Sequence, residues 1–207
     1  MIILISLFCL QSNAQTFGLK AGLNLSNMIF KDDDVNYSNE LNNIPGFHIG
    51  AIVDMPLNEF LSFESGLLFT TKGFKIKEEE EEVVNSIKNK LYYLDIPLTI
   101  KASHDLCKGL KIFGTAGPYV GIGLSGKAKG TIDGVSNEKT TDWGNSDEDT
   151  FKRLEWGLTF GGGVEINSII IGVSYDLGLS NISANQDNGT TIKNKVLKFS
   201  VGYMFGK

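Results

Sequence analysis

The chain has 207 residues, a formal net charge of -5, 24 glycines against 4 prolines, and 2 cysteines. That length fits one domain, and so few prolines speak against a loop-rich or disordered chain. An acidic chain with no basic stripe in its sequence has nothing to neutralise phosphates, so nucleic acid is not expected as a partner.

Met1 to Leu10 form a short apolar run, and Ser12-Asn13-Ala14 then places small residues three and one positions before Gln15. This layout predicts a secretory signal peptide over 1–14 and a mature domain over 15–207, although no Lys or Arg precedes the apolar run. The alternative is a buried N-terminal strand. Cys9 would leave with the signal, so Cys107 would be alone and no intramolecular disulfide could form. The mature chain has no apolar run near the roughly 18 residues that a transmembrane helix needs.

The first strand pattern starts at Phe17, with Phe17, Leu19, Ala21, Leu23 and Leu25 alternating with Gly18, Lys20, Gly22, Asn24 and Ser26. A period of two is the mark of a strand with one apolar face. A polar loop with Asp32, Asp33 and Asp34 follows, then a second strand from Pro45-Gly46, where Phe47, Ile49, Ala51, Val53 and Met55 oppose His48, Gly50, Ile52 and Asp54. Pro56-Leu57-Asn58-Glu59 reads as a tight reversal into a third strand, with Leu61, Phe63, Leu67 and Phe69 against Ser62, Glu64, Gly66, Thr70 and Lys72. A second loop is expected at the glutamate run Glu78 to Glu82. The fourth strand then sets Tyr92, Leu94, Ile96, Leu98 and Ile100 against Tyr93, Asp95, Thr99 and Lys101.

A short link through Asp105 to Gly109 leads to the fifth strand, whose polar frame is Lys111, Thr115, Gly117, Tyr119, Gly121, Gly123 and Ser125, against Ile112, Ala116, Val120, Ile122 and Leu124. The longest loop is expected over Ala128 to Lys152, rich in Asp, Asn, Thr and Gly. The sixth strand sets Leu154, Trp156, Leu158, Phe160, Val164 and Ile166 against Arg153, Glu155, Thr159 and Glu165. Asn167-Ser168 turns into the seventh, where Ile169, Ile171, Val173, Tyr175 and Leu177 oppose Gly172, Ser174 and Asp176, with Ile170 a bulky exception. After a loop near Asn185 to Gly189, the eighth strand places Leu197, Phe199, Val201, Tyr203 and Phe205 opposite Lys198, Ser200, Gly202 and Met204.

Long and short connections alternate, so all long loops fall at one end and all tight turns at the other. That asymmetry, with an even strand count, predicts an all-β fold: an eight-stranded antiparallel up-and-down transmembrane β-barrel. Parity alone does not say which face is inside, since a soluble lipocalin-like barrel would hold its apolar face inward. Three features favour an apolar exterior against lipid. Glycines cluster on the polar face, where a narrow lumen needs room for bulky partners across it. Charges on that face nearly cancel: Lys20, Lys72, Lys101, Lys111, Arg153 and Lys198 against Asp54, Glu64, Asp95, Glu155, Glu165 and Asp176. Buried charges must be paired, so these twelve are the candidate lumen network. Aromatics recur at the strand ends of the apolar face (Phe17, Phe47, Tyr92, Trp156, Tyr203, Phe205), as in the girdles of membrane barrels.

No catalytic, cofactor or metal site is expected. Gly121-Ile122-Gly123-Leu124-Ser125-Gly126 matches a dinucleotide fingerprint in letters but opens no helix that could hold a pyrophosphate. Asp32, Asp34 and Asn36 resemble the start of a calcium loop, yet Tyr37 stands where glycine is needed and Asn43 replaces the bidentate glutamate. The run Glu78 to Glu82 reads as a solvated tip, and His48 and His104 have no nucleophile near them in the sequence.

Phe17-Gly18-Leu19-Lys20-Ala21-Gly22-Leu23-Asn24, Tyr93-Leu94-Asp95-Ile96-Pro97-Leu98 and Gly114-Thr115-Ala116-Gly117-Pro118-Tyr119 together resemble the PorT-like outer-membrane β-barrel family. The resemblance covers the mature chain and implies an outer-membrane barrel in a Gram-negative envelope; one branch of the family serves protein secretion. Phe205 is followed by Gly206-Lys207 and does not close the chain, a departure from the usual barrel terminus. The expected function is non-enzymatic: a monomer with a filled polar lumen and exposed loops in a structural or surface-interaction role. Its expected partners are outer-membrane lipid and lipopolysaccharide, and other envelope proteins. The alternatives are an accessory part of a secretion machine, or small-ligand binding and narrow-pore transport.

Overall fold

The structure, a computed structural model, describes residues 15–33, 38, 41–80, 83–132, 135–144, 146, 149–185 and 189–206, with only the backbone of 77–80, 83–85, 132 and 135. The expected signal peptide, Cys9, Asp34, Asn36, Tyr37, Glu81 and Glu82 lie outside the described residues.

The described residues form nine strands: β1 (Thr16–Lys31), β2 (Ile44–Pro56), β3 (Leu61–Glu80), β4 (Val83–Cys107), β5 (Leu110–Ile132), β6 (Val135–Thr140), β7 (Leu154–Ile166), β8 (Ile169–Gly178) and β9 (Thr191–Phe205). All pair antiparallel, in the order β4-β3-β2-β1-β9-β8-β7-β5, and a β4–β5 ladder closes the ring of eight. Closure satisfies every strand edge around the ring, the condition for a sheet to cross hydrocarbon without stranded backbone groups. The start of β1, Thr16, and the end of β9, Phe205, lie at the same end as the three short turns.

Local chemistry fixes those turns. Asn58 Oδ1 accepts hydrogen bonds from the backbone N–H of Phe60 and Leu61, both at 2.9 Å, and so shapes the β2–β3 reversal. Gly109 (φ 81°) turns β4 into β5, and Asn167 (φ 54°) turns β7 into β8, a left-handed backbone that Asn tolerates better than most residues. The Asn167 amide also donates to the Gly109 carbonyl at 2.7 Å, joining the two turns.

At the other end two expected loops are replaced by sheet. β3 and β4 stay paired out to Glu80↔Val83, so the glutamate run begins in a hairpin that overshoots the rim. Within the expected loop from Ala128 to Lys152, β5 continues to Ile132 and β6 returns beside it, from Ile132↔Val135 to Lys127↔Thr140. The upper part of β5 thus pairs with β4 and β6, and its lower part with β4 and β7. A bulge in β5 after Gly123 puts Ser125, expected on the inner face, opposite Tyr92 on the outer one, where it is exposed. A hairpin wetted on both faces needs no apolar alternation, so its composition reads as loop.

The apolar face points outward. Leu23 is 68% exposed, Val201 58% and Val173 45%, whereas Lys72, Glu155 and Asn24 are fully buried. Sequence residues that break the alternation meet one another inside. Ile52, Leu68, Ile170 and Met204 form one buried apolar layer, with Phe113 against it. A second cluster closes the long-loop end: Met28, Leu91 and Tyr93 from strands, with Leu41, Phe151 and Ile182 from the connections.

Candidate functional site

The lumen holds two groups of buried charge. In the first, Lys72 Nζ sits 2.9 Å from Asp95 Oδ1 and 3.1 Å from Glu155 Oε2. Lys198 Nζ lies 2.5 Å from Asp176 Oδ2 and 3.5 Å from Asp95 Oδ2. Neutral donors complete the set: Tyr119 Oη donates to Glu155 Oε1 at 2.6 Å and Asn194 Nδ2 to Glu155 Oε2 at 2.8 Å. The Lys72 ammonium also stands over the rings of Tyr93 and Tyr119, 4.5 and 4.8 Å from their centroids, where the negative ring faces attract it.

The second group lies toward the short turns. Lys101 Nζ is 2.8 Å from Asp54 Oδ2 and 3.4 Å from Glu165 Oε2, and Lys20 Nζ is 2.8 Å from Glu64 Oε1. Strand geometry delivers these contacts. Inward positions recur every second residue, and barrel stagger brings residues far apart in sequence to one height.

Ten of the twelve expected network residues therefore meet in the lumen, and two do not. Lys111 lies at the mouth near the short turns, half exposed, 3.4 Å from the exposed Asp105. Arg153 precedes β7, is exposed, and donates from Nη1 to the Gly123 carbonyl at 3.2 Å. Parity assigns a face but not a height along the axis, and both residues sit where a strand ends. The balance of six against six thus becomes four ammonium groups against six carboxylates within the barrel. Neutral hydroxyl and amide donors supply part of what the missing cations would have given.

His48 belongs to the same interior. Asn24 Nδ2 donates to the carbonyls of Phe47 and Thr71, at 2.9 and 3.0 Å, which leaves Asn24 Oδ1 facing His48 Nδ1 at 2.7 Å. Nδ1 must then carry a proton, and Nε2 meets Ser200 Oγ at 3.0 Å. Exposed His104 and exposed Cys107 lie elsewhere. Among the described residues no group of three or more His, Cys, Asp or Glu is placed to hold a metal ion.

Space in the lumen is small. A cavity of about 50 Å³ lies among Lys20, His48, Glu64, Asp95, Tyr119 and Lys198, room for a few waters at roughly 10–15 Å³ each. Lumen glycines make way for large side chains. An added Cβ at Gly157 would lie 2.7 Å from Tyr119 Cε1, and at Gly121 2.8 Å from Asp95 Oδ1. Above the charges, Trp143 is laid on Gly123, its ring edge-on to Tyr93 at 5.6 Å and tilted on Phe151 at 6.1 Å. Backbone bonds stitch this cap: Thr141 to Gly126 (3.0 Å), Lys152 to Ile182 (2.8 Å) and Ile182 to Ile192 (2.9 Å). The sequence carried no periodic signal for it, because its apolar residues come singly from irregular connections.

The sequence model of the outer membrane protein beta-barrel domain matches residues 11–184. The chain belongs to the outer membrane protein β-barrel domain family. Family membership implies the outer membrane as its location, and the outward apolar face of the barrel fits that place. No curated protein matches the sequence. Among solved structures, the chain is similar to the attachment invasion locus protein Ail of Yersinia pestis, at 17% identity over 93% of this chain and 100% of that one, with a TM-score of 0.38. It is also similar to Neisserial surface protein A, at 13% identity, 93% and 100% coverage and a TM-score of 0.47. The outer membrane protein OprG of Pseudomonas aeruginosa shares 13% identity, 94% and 97% coverage and a TM-score of 0.49. β9, which pairs with β1 and β8, lies beyond the matched span.

Two electrostatic features mark the rim outside the membrane. Lys127 Nζ meets Glu138 Oε1 at 2.5 Å across β5 and β6. The hydrogen bond and then the charge of each partner raise the lysine pKa and lower that of the glutamate. Asp149 is held below the usual carboxylate range by the side-chain and backbone donors of Ser146, at 2.5 and 3.0 Å.

Proposed function

We propose that this protein is a non-enzymatic, monomeric outer-membrane barrel whose lumen serves stability and whose function lies on its outer rim. The observation that carries this reading is the filled interior. Paired charges, an apolar layer and the Trp143 cap leave a lumen cavity of about 50 Å³ and, at the short-turn mouth beside Asp54, Lys101 and Glu165, one of about 140 Å³, both below the several hundred Å³ of a small-molecule site. The hairpins β3–β4 and β5–β6 extend the wall outward and present surface to whatever meets the cell.

A PorT-like assignment is the finer reading, with an accessory role in secretion as its functional consequence. It rests on the residues of the Tyr93-Leu94-Asp95-Ile96-Pro97-Leu98 and Gly114 to Tyr119 stretches. Tyr93, Asp95 and Tyr119 all point into the charge cluster around Lys72, so the resemblance speaks to how the barrel is filled more than to what it binds.

Single-channel recording in planar bilayers tests the leading reading. The intact protein should give no stepwise current above baseline, and deletion of residues 141–152 should leave the charge layers in place and the lumen closed to ions. Stable ohmic steps from the intact protein would refute a structural lumen and favour narrow-pore transport.

A further inference from the structure

The sequence shows no basic stripe, yet strand pairing builds one. Lys88 and Lys90 of β4 stand directly opposite Lys129 and Lys127 of β5, and Lys75 of β3 stands opposite Lys88. Directly opposed residues of an antiparallel pair point to the same side of the sheet. On β4 the side of Lys88 and Lys90 is also that of Tyr92 and Leu94, the lipid-facing side, and Lys88, Lys90, Lys127 and Lys129 are all exposed. A bulge in β5 between the Tyr92 and Tyr93 pairings keeps Lys127 and Lys129 on this side. Glu138 of β6 stands opposite Lys129 and pairs with Lys127 at the edge of this group.

This arrangement has a cost that folding alone does not explain. Like charges directly opposite one another destabilise a ladder, and here two such pairs, Lys88 with Lys129 and Lys90 with Lys127, adjoin in a chain whose net charge is -5.

Their height identifies the counter-charge. Phe47, Phe69 and Tyr92 form a chain of contacting rings across β2, β3 and β4 at the long-loop end of the apolar belt, with centroids 5.9 and 5.8 Å apart. Such rings mark the membrane interface. Lys90 and Lys127 lie one inward-outward repeat beyond Tyr92, and Lys88 and Lys129 two repeats beyond, roughly 7 and 13 Å along the strand. Lipid headgroups occupy that shell.

We propose that Lys88, Lys90, Lys127 and Lys129 form a binding site for the phosphate groups of a phosphorylated outer-leaflet glycolipid, seated on the outside of the barrel with its acyl chains along Tyr92, Leu94, Ile122 and Leu124. The proposal rests on the membrane placement given above. Ammonium groups act as point charges toward phosphate, and bound phosphates would relieve the repulsion among the lysines.

The test is titration of the folded full-length protein, in neutral detergent micelles, with fluorescent diphosphorylated lipid A. The comparison is with its dephosphorylated form and with heparin as a soluble polyanion. The variant Lys88→Gln/Lys90→Gln/Lys127→Gln/Lys129→Gln should bind lipid A at least about tenfold more weakly, given a few-fold per lysine at a charged lipid surface. The control Lys108→Gln/Lys111→Gln, at the opposite end of the barrel, should match the parent. Binding of the parent should weaken with added salt and should need the phosphates. Equal affinity for the dephosphorylated lipid, an equal loss in the control, or no loss in the quadruple variant would overturn the site. Tighter binding of heparin than of lipid A would overturn it in favour of a soluble polyanion. Heat-modifiable gel migration checks each variant's fold. Its absence in the parent would overturn the membrane placement itself, a failure distinct from any of these binding results.

Discussion

Replacing Lys72 by methionine keeps the apolar stem of the side chain and removes the ammonium group from between Asp95 and Glu155. Lys72 is fully buried, with carboxylate oxygens at 2.9 and 3.1 Å and two aromatic rings within 5 Å. Removing one partner of a buried ion pair costs about 3–5 kcal/mol, because the other charge stays buried. Here Asp95 keeps Lys198 at 3.5 Å, and Glu155 keeps Tyr119 and Asn194, which places the expected loss near the lower end, about 3 kcal/mol. That is about a hundredfold in the folded-to-unfolded ratio. Urea titration of the barrel in phospholipid vesicles, read as the fraction of heat-modifiable protein on gels, measures it. The double variant Lys72→Met/Glu155→Gln should recover most of the loss, since it removes the stranded charge while the amide oxygen still accepts from Asn194 and the amide N–H can donate to the Tyr119 hydroxyl oxygen. A Lys72→Met change within about 0.5 kcal/mol of the parent, the range of ordinary surface substitutions, would refute a desolvated network.

The glycines offer a sharper steric test. A Cβ at Gly157 would lie 2.2 Å from the Leu177 carbonyl oxygen, so Gly157→Ala should lose about 1–3 kcal/mol by overpacking, whereas Gly130→Ala, with nothing within 4 Å, should be neutral in the same urea assay. Gly123→Ala should push Trp143 out of the cap, where a Cβ would come within 2.2 Å of its ring. In a Trp156→Phe background this would appear as a red shift of the remaining tryptophan emission. On the β5–β6 hairpin, the lowered pKa of Glu138 means that its pairing with Lys127 stabilises the hairpin above the ordinary carboxylate value of 4.5 and is lost as pH falls through the lower, folded-state value. An NMR titration of the Glu138 carboxyl should therefore have its midpoint below 4.5 and return toward it in Lys127→Gln.

Strand identity and facing were legible because a β-strand writes its two faces into alternate letters. Leu23, Val173 and Lys72 each stand on the side their parity assigns. Three kinds of information were not written that way. Height along the barrel axis escaped, which is why Lys111 and Arg153 joined an expected network that they do not enter. The reach of the β5–β6 hairpin escaped as well, since a strand such as β6, exposed over 136–140, carries no alternation. Finally, contacts between distant segments escaped: Ile52, Leu68, Ile170 and Met204 look like isolated breaks in four separate patterns, and only the closed ring brings them into one layer. The cap of Leu41, Phe151 and Ile182 and the lysines of β4 and β5 belong to this last kind.

The orientation of the apolar face is tested most directly by the two tryptophans. Trp156 is 53% exposed on the outer wall, whereas Trp143 packs inside the cap. In vesicles of lipids brominated on their acyl chains, the Trp143→Phe protein, with Trp156 alone, should lose most of its fluorescence, and the Trp156→Phe protein should keep most of its own. Quenching of Trp143 with Trp156 untouched by bromine and open to a water-soluble quencher would show that the oily side of this barrel does not meet lipid.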